Sequence, residues 1–404
     1  MVSQQVHPRV IFAGGGTLGH LMPGWCVCEE VRRLWPQGAY LFVAGSKDWD
    51  ADFMRQRGVA VWTFAGRRCP PAWTPHPWAR PELFAHGAGN LLEAVGLMRR
   101  YRPQVVVGLG GHLSIPVVLG AILTGVPAIL LEQNAYPGRA NRFLSRWAEC
   151  VCCSWRGSER WLARPERAVL TGNPIRRGIG PAMPTAGDFH QFGLRPGKRT
   201  LLVLGGSRGA VALNEAVLAA LPILAKRREL LQVVHAAGPA GVASVRRAYE
   251  AANVQAAVQS FIEDMAAAYR VADLVFCRAG GTTLAEVCAA GRPAIVVPYP
   301  YAAEGHQHAN AAVVAGAGAA LAVDQSRLTG DLLAHLVLGL LGEPMRLEKM
   351  AQNSRSLGRL EATAAVLKQV QGLILSRCLT PAILDERARE AAPLFRPIVR
   401  GERA

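Results

Sequence analysis

The sequence predicts an α/β protein of two doubly wound, Rossmann-like domains that face each other across a cleft. Its 404 residues exceed the length at which one hydrophobic core keeps growing, so two domains of roughly 150–200 residues are favoured. Short apolar segments alternate with amphipathic segments, which is typical of a parallel sheet covered by helices. This alternation stops at a segment rich in Gly, Pro and charge and then starts again.

The apolar segments give the order of the elements. Six candidate strands precede the interruption, at residues 9–13, 39–44, 59–64, 105–108, 128–131 and 150–154, and four follow it, at 200–204, 231–235, 272–277 and 294–298. We therefore predict a first domain at 1–173, a linker at 174–199, a second domain at 200–350, a helix at 351–375 that returns to the first domain, and a charged tail at 376–404. The uncharged stretch 105–131 is long enough to span a bilayer, but its glycines and prolines predict strand, loop, helix and strand instead.

The composition restricts the kinds of partner. The 45 Lys and Arg exceed the 29 Asp and Glu, which leaves a formal charge of +16 and favours nucleic acid, nucleotide phosphates or an anionic membrane. The alternative is that the arginines are simply spread over a solvated surface. No basic and aromatic motif of a known nucleic-acid module is present, so we expect no nucleic-acid partner. The cysteines lack paired zinc spacing and are expected to be buried thiols, and the absence of a signal-peptide pattern predicts a cytoplasmic protein.

A glycine loop, residues 14–20 (GGGTLGH), follows the first predicted strand and precedes a helix. Glycines let the backbone approach a ligand closely, and the free N–H groups of a helix start favour an anion. The loop does not match the dinucleotide fingerprint, which argues against NAD. His20 has two interpretations, since a loop histidine beside a cleft can be a general base or can merely cap a turn.

Two more glycine loops lie in the second half. Residues 204–210 (LGGSRGA) repeat the strand, loop and helix arrangement, and a second anion site opposite the first would suit a diphosphate in the cleft. Residues 277–286 (CRAGGTTLAE) place Glu286 one turn into a helix. That carboxylate could accept hydrogen bonds from both hydroxyls of a ribose, or it could only complement the helix dipole.

Taken in order, these motifs resemble those of the MurG-type UDP-N-acetylglucosamine transferases, which convert lipid I to lipid II in peptidoglycan synthesis. The resemblance covers roughly residues 8–375. Any one motif could occur by chance, but the ordered set indicates the family. The motifs are GGTLGH, GLGGHLSIP, LEQNAYPGRANR, GNPIR, GGSRGA, FIEDMAAAY, ADLVFCRAGGTTLAE and HQHANA.

The resemblance implies a GT-B fold, in which the N-terminal domain receives the lipid acceptor and the C-terminal domain binds the UDP-sugar. It implies catalytic roles for His20, as the base, and for Glu286, which would hold the ribose, while the Ile262 backbone would hold the uracil. The remaining implied contacts are Ser207, Gly281, Thr282, Thr283 and Leu284 at the diphosphate, His306 and Gln307 at the sugar hydroxyls, and Thr17, Leu18, Gly19, Asn134 and Arg176 closing over the donor.

Several residues depart from the family pattern. They are Leu18 for Gly, His112 for Tyr, Leu131 for His, Arg208 for Gln, and His306 where some members have Gln. The side chain at Leu18 requires an ordinary backbone conformation and narrows the loop, so the acceptor side is affected most.

The chemistry implied by the family is an inverting displacement, in which the acceptor's C4 hydroxyl attacks C1 of the sugar and UDP leaves from the opposite face. Helix starts and Arg176 would stabilise the leaving diphosphate, so we expect neither a metal nor another cofactor. Asp48-Trp49-Asp50 spells the D-x-D of metal-dependent transferases, yet it follows the second strand, away from the donor motifs.

Membrane contact is predicted for the segment 55–102, which carries eight Arg and two Glu among aromatic and aliphatic residues. Such a surface binds anionic bilayers by partial insertion and charge attraction, here at the cytoplasmic face of the inner membrane. We assign Trp73 and Trp78 to the membrane and Leu92 and Met98 to the core. Two alternatives remain open: a UDP-sugar-binding homologue without turnover, and a glycolipid transferase that uses another UDP-sugar.

Overall fold

The structure, a computed structural model, describes residues 7–45, 48–64, 81–206 and 209–379. Within these ranges the chain forms two sheets, one of seven strands and one of six, and all of the strand pairs are parallel. Parallel neighbours need crossover connections, which helices provide here. The prediction of two Rossmann-like α/β units is confirmed.

The first sheet has the strand order β3-β2-β1-β4-β5-β6-β7. Its strands are β1 (Arg9–Gly14), β2 (Ala39–Ala44), β3 (Ala60–Thr63), β4 (Val105–Gly110), β5 (Ala128–Glu132), β6 (Cys150–Cys153) and β7 (Ala168–Leu170). Its helices are α1 (Leu18–Leu34), α2 (Asp48–Arg55), α3 (Pro81–Tyr101), α4 (Ser114–Leu123) and α5 (Arg139–Leu144). The uncharged stretch 105–131 forms β4, α4 and β5, as its glycines and prolines predict.

The second sheet has the order β10-β9-β8-β11-β12-β13. Its strands are β8 (Arg199–Leu204), β9 (Leu231–Ala236), β10 (Ala256–Gln259), β11 (Leu274–Arg278), β12 (Ala294–Val297) and β13 (Ala320–Ala322). The helices from the linker onward are α6 (Ala186–Gln191), α7 (Val211–Leu224), α8 (Val242–Ala251), α9 (Met265–Val271), α10 (Gly281–Ala289), α11 (His306–Gly316), α12 (Gly330–Leu341), α13 (Pro344–Leu357) and α14 (Ala362–Leu379).

The strand order reverses at one point in each sheet, between β1 and β4 and between β8 and β11. Ligands of open parallel sheets bind outside the carboxyl ends of the strands at such a point. All three glycine loops found in the sequence follow one of these strands. The topology therefore brings the motifs to the carboxyl ends of the sheets.

The core is apolar on both faces of the central strands. Val10, Ile11 and Phe12 of β1 have no exposed surface, nor have Val275 and Phe276 of β11. Burial on both faces explains why these strands appear as continuous apolar runs. The seven cysteines whose side chains the structure describes are free, and six of them are buried.

The chain returns to the first sheet at its C-terminal end. Val366, Val370 and Ile374 of α14 are fully buried in the cluster that also contains residues of α1. The structure divides the predicted helix 351–375 between α13 and α14, because the chain turns at Gly358, where a Cβ would lie 2.6 Å from the Cys288 carbonyl oxygen. The limits of the predicted domains stay predictions.

One residue of α3, Leu92, does not face the core as predicted. Met98 is 2% exposed and lies in the core as expected, but Leu92 is 73% exposed, so its assignment to the core is wrong. Six residues correspond to about 600° of rotation, which leaves the two side chains about 120° apart around the helix axis. They cannot face the same side.

None of the helices in the described ranges has the length and apolar character that crossing a membrane requires.

Candidate functional site

A cavity of about 810 Å³ lies between the two sheets and is lined by residues of both. It contains thirteen of the fifteen residues to which the sequence assigns a role. These are Thr17, Leu18, Gly19, His20, Asn134, Arg176, Ile262, Gly281, Thr282, Thr283, Glu286, His306 and Gln307. The cleft expected from the fold class is therefore present, and seven of the eight motifs contribute residues to it.

Two assigned residues are not placed in the cavity. Leu284 is fully buried in the core of the second sheet, and its N–H donates to the Gly280 carbonyl within α10. Its side chain faces the core and does not line the cavity. A helix start presents only its first N–H groups to a ligand, and Leu284 already lies one turn in. Ser207 lies outside the described residues, as does Arg208.

The first glycine loop turns at Gly16, whose φ of +93° is readily adopted only by glycine. Thr17 then has an extended backbone, and α1 begins at Leu18. Leu18 is therefore helical, a conformation open to any residue, and its side chain packs into the core of the first sheet with 7% exposure. The departure from the family's glycine is accommodated in this way.

His20 lies half-buried near the start of α1, and its Nδ1 is 3.0 Å from the Thr17 hydroxyl. The ring packs against the end of β4, where a Cβ on Gly110 would lie 3.3 Å from His20 Cδ2. Burial lowers the pKa of His20 to about 4, and His306 and His112 lower it further. The imidazole is therefore neutral near pH 7. With Nδ1 donating to Thr17, Nε2 would be the nitrogen that accepts a proton.

Glu286 and Arg176 form a two-pronged ion pair. Arg176 Nε and Nη2 donate to the two carboxylate oxygens at 2.8 Å each, and the Tyr269 hydroxyl donates to Oε2 at 3.3 Å. Glu286 is 1% exposed. Burial opposes a charge on Arg176, but the facing carboxylate outweighs it and raises the Arg176 pKa above its usual value. The sequence assigned these two residues to different parts of a ligand, whereas the structure joins them to each other.

The two domains touch at α10. The Thr282 hydroxyl donates to the Gly19 carbonyl at 2.7 Å and accepts from Asn173 Nδ2 at 3.2 Å. A Cβ on Gly281 would overlap the Gln133 carbonyl oxygen, so only glycine permits this approach. The roles of Asn173 and Gln133 were missed by sequence reasoning, although both lie in motifs of the ordered set.

A second bridge joins the loop after β5 to α11. Asn310 has no exposed surface and donates to Asn134 Oδ1 and to the Ala279 carbonyl, each at 3.0 Å. Glu132 orders this loop by accepting from the backbone N–H and the side chain of Asn134. Burial raises the Glu132 pKa despite these hydrogen bonds. Asn310 was also missed, since nothing in the sequence pairs it with a residue 176 positions away. Glu132 was missed as well, although its partners lie in the same sequence motif.

His306 and Gln307 begin α11 at one end of the cavity. His306 Nδ1 is 2.7 Å from the Ala303 carbonyl oxygen, which can only accept, so Nδ1 carries the proton. Gln307 Oε1 accepts from the Tyr299 N–H at 2.9 Å. Burial lowers the pKa of His306. These bonds orient His306 Nε2 as an acceptor and Gln307 Nε2 as a donor.

The described residues contain no group of three His, Cys, Asp or Glu side chains placed to hold a metal ion. Asp48 and Asp50 belong to α2, but their side chains lie outside the description. Of the other departures from the family, Leu131 is 1% exposed in the core of the first sheet, and His112 lies near enough to His20 to affect its pKa.

Comparisons with known proteins agree with this arrangement. Residues 10–153 match the glycosyltransferase family 28 N-terminal domain and residues 200–370 the C-terminal domain of the same family. Two similar curated proteins, both called UDP-N-acetylglucosamine–N-acetylmuramyl-(pentapeptide) pyrophosphoryl-undecaprenol N-acetylglucosamine transferase, come from Syntrophotalea carbinolica and Nitratidesulfovibrio vulgaris. The first is 37% identical, with 89% of this chain and 97% of the relative covered. The second is 38% identical, with 92% and 99% covered.

A solved structure is also similar over most of its length. The crystal structure of Acinetobacter baumannii MurG superposes with a TM-score of 0.69 at 29% identity, covering 90% of this chain and 99% of that one. The two family domains, the curated relatives and this fold agree. The chain therefore belongs to glycosyltransferase family 28, as a member of the MurG-type UDP-N-acetylglucosamine transferases.

Proposed function

We propose that this chain transfers N-acetylglucosamine from UDP-N-acetylglucosamine to the C4 hydroxyl of the muramyl sugar of lipid I, which gives lipid II with inversion at C1. The observation that carries the proposal is the cavity between the domains, in which the family's motifs from both halves of the chain meet. Membership of the family supports the same donor and acceptor.

The nucleotide would bind on the second domain, where its ribose would replace Arg176 as the partner of Glu286. Glu286 has its acceptor positions engaged by Arg176 and Tyr269. If the ribose hydroxyls donate to this carboxylate, Arg176 is displaced and its guanidinium becomes available to the diphosphate. A buried charge must keep a partner, and the exchange gives each of the two groups a new one. Ile262 lies in the loop between β10 and α9, where its backbone can meet the uracil.

The diphosphate would lie at the start of α10. Gly281, Thr282 and Thr283 form its first turn, where unpaired N–H groups and the helix dipole favour an anion. Ser207 of the second glycine loop is proposed for the same group. Donors fixed in place before the reaction stabilise the charge that grows on leaving UDP.

The sugar would lie against the start of α11. Gln307 offers an N–H donor and His306 an acceptor nitrogen, because their other polar atoms are engaged. This combination suits hydroxyls, which can both accept and donate.

His20 is proposed as the base. The acceptor's C4 oxygen bonds to C1, its proton passes to His20 Nε2, and the bond from C1 to the UDP oxygen breaks with its electron pair going to UDP. In the unliganded site burial holds the His20 pKa to about 4, and the negative charge of a bound diphosphate would raise it. The base would thus gain strength when the donor is present.

The first domain is proposed to meet an anionic membrane through α3, α4 and α5. Leu92 of α3 is 73% exposed and Leu123 of α4 is 67% exposed, and α4 contacts both α3 and α5. Beyond α5, Trp147 packs against Phe143, whose ring is covered by the Arg146 guanidinium. Exposed apolar and aromatic residues beside arginine are suited to an anionic bilayer. Trp73 and Trp78 lie outside the described residues.

Removing the base tests the proposed chemistry. His20→Ala is expected to lower kcat about 10²–10⁴-fold, with UDP affinity unchanged, in an assay of UDP release from UDP-N-acetylglucosamine with a lipid I analogue. Because a pKa of about 4 keeps the imidazole neutral, wild-type kcat/KM should stay level from pH 8 down to about pH 5. His335→Ala, which changes an exposed histidine of α12, is the control. Full turnover by His20→Ala would exclude this role, and preference for UDP-galactose would exclude the donor.

The proposed ribose contact is tested with a matched pair of nucleotides. Glu286→Gln is expected to weaken UDP binding about 10–100-fold, as for the loss of charge-assisted hydrogen bonds, and to weaken binding of 2′,3′-dideoxy-UDP far less. Calorimetric titration of wild type and Glu286→Gln with each nucleotide gives the ratio of the two dissociation constants for UDP and for 2′,3′-dideoxy-UDP. Equal losses for the two would mean that the carboxylate does not hold the ribose, and thermal unfolding of the variant controls for the unpaired Arg176.

The close approach of the two domains at α10 is tested by substituting two neighbouring glycines. Gly281→Ala places a methyl group against the Gln133 carbonyl and should lower kcat more than about tenfold, because a clash of this size costs at least 1–3 kcal/mol. Gly280→Ala is the control, since its Cβ would have no neighbour closer than 3.8 Å. Equal activity of the two variants would show that transfer does not need this approach of the domains.

The membrane surface is tested with vesicles that contain phosphatidylglycerol. The double variant Leu92→Ser, Leu123→Ser should bind at least about tenfold more weakly, since each inserted leucine contributes about 1.5–3 kcal/mol. Met183→Ser with Met345→Ser, two residues that are each 85% exposed, is the control. If the control loses as much binding as the first variant, the assignment of the surface is wrong.

A further inference from the structure

The loop 299–305 connects β12 to α11 and has an unusual backbone at its end. Glu304 has φ +52° and Gly305 has φ +66°. Glycine adopts this left-handed region readily, but a residue with a long side chain rarely does. Such a conformation persists where the surrounding contacts determine it, so the partners of Glu304 indicate what holds the loop.

Those partners lie on the other domain. Glu304 Oε1 accepts from Arg139 Nε at 3.0 Å and from Arg142 Nη2 at 2.5 Å, and both arginines belong to α5. Arg142 is itself fixed, because it donates to the Tyr136 hydroxyl at 2.8 Å and lies over that ring. The side chains of Glu304 and Arg142 are 21% and 27% exposed. An ion pair that is partly shielded from water and held in place on both sides is stronger than a surface pair.

The same loop orients His306 and Gln307, the two side chains at the end of the cavity where the donor sugar is proposed to lie. The His306 ring donates to the Ala303 carbonyl, and Gln307 accepts from the Tyr299 N–H. Both partners are loop residues that precede the left-handed turn, whereas His306 and Gln307 follow it. A change at Glu304 would therefore reorient these two side chains without touching the nucleotide end.

We propose that Glu304 is a positioning residue, which Arg139 and Arg142 clasp across the cleft so that loop 299–305 presents His306 and Gln307 to the donor sugar. This proposal rests on the proposed function, because it assigns the sugar to that end of the cavity. Binding of the nucleotide and positioning of the sugar would then depend on different contacts. UDP alone binds without the clasp, whereas the sugar is held correctly only when α5 of the first domain is in place.

A double-mutant cycle tests the clasp. Glu304→Gln is expected to raise KM for UDP-N-acetylglucosamine about tenfold, the factor for about 1.4 kcal/mol of lost ion pairing, while the Kd for UDP stays unchanged. Arg142→Gln should raise KM less, because Arg139 still pairs with Glu304. The double variant should be no worse than Glu304→Gln, because Arg142 acts through its contact with Glu304. Glu348→Gln is the control, since it removes an exposed carboxylate paired with Arg355 far from the cleft.

The contradicting results are specific. An unchanged KM in either single variant, effects that multiply in the double variant, or an equal loss of UDP affinity would overturn the clasp. A second measurement does not depend on turnover: backbone amides of loop 299–305 in the unliganded protein should exchange with deuterium about tenfold faster in Glu304→Gln than in wild type. Wild type that transfers nothing from UDP-N-acetylglucosamine would refute the proposed function, whereas unchanged exchange in Glu304→Gln would refute the clasp alone.

Discussion

A carboxylate as deeply buried as that of Glu286 must be paired, and the rest of the cleft depends on how this is achieved. The partner, Arg176, comes from the segment that leaves the first sheet, whereas Glu286 lies on α10 of the second. Removing either partner would leave a buried charge, which costs far more than the pair contributes. The ion pair therefore holds the start of the linker against α10 of the second domain.

The contacts beside this ion pair also hold the two domains together, and they involve backbone groups. The Thr282 hydroxyl donates to the Gly19 carbonyl, and Gly281 lies against the Gln133 carbonyl, so backbone groups of the first domain take part in both contacts. Side chains at the periphery, Glu304 with Arg139 and Arg142, add charge to this contact. A close central contact fixes the distance between the domains, and the outer pairs orient the loops beside it.

The sequence predicts most of the fold, because its signals are local. Alternating apolar and amphipathic segments give the strands and helices, and glycines after strands mark the loops at the point where strand order reverses. The sequence does not show in which direction a side chain points: Leu92 and Met98 share a helix but not a face, and the Leu284 side chain is buried in the core beside the cavity. The pairing of Arg176 with Glu286 depends on tertiary structure between residues 110 positions apart, for which no local pattern exists.

The polar groups of the cleft satisfy one another, so a ligand has to exchange with partners that are already in place. Glu286 is paired with Arg176, and burial beside two other histidines keeps the His20 imidazole neutral. In the proposed function, the ribose of the donor would offer hydrogen-bond donors to the carboxylate, and its diphosphate would bring negative charge near the imidazole and raise the His20 pKa. The neutral imidazole would then be a stronger base when the donor is in place.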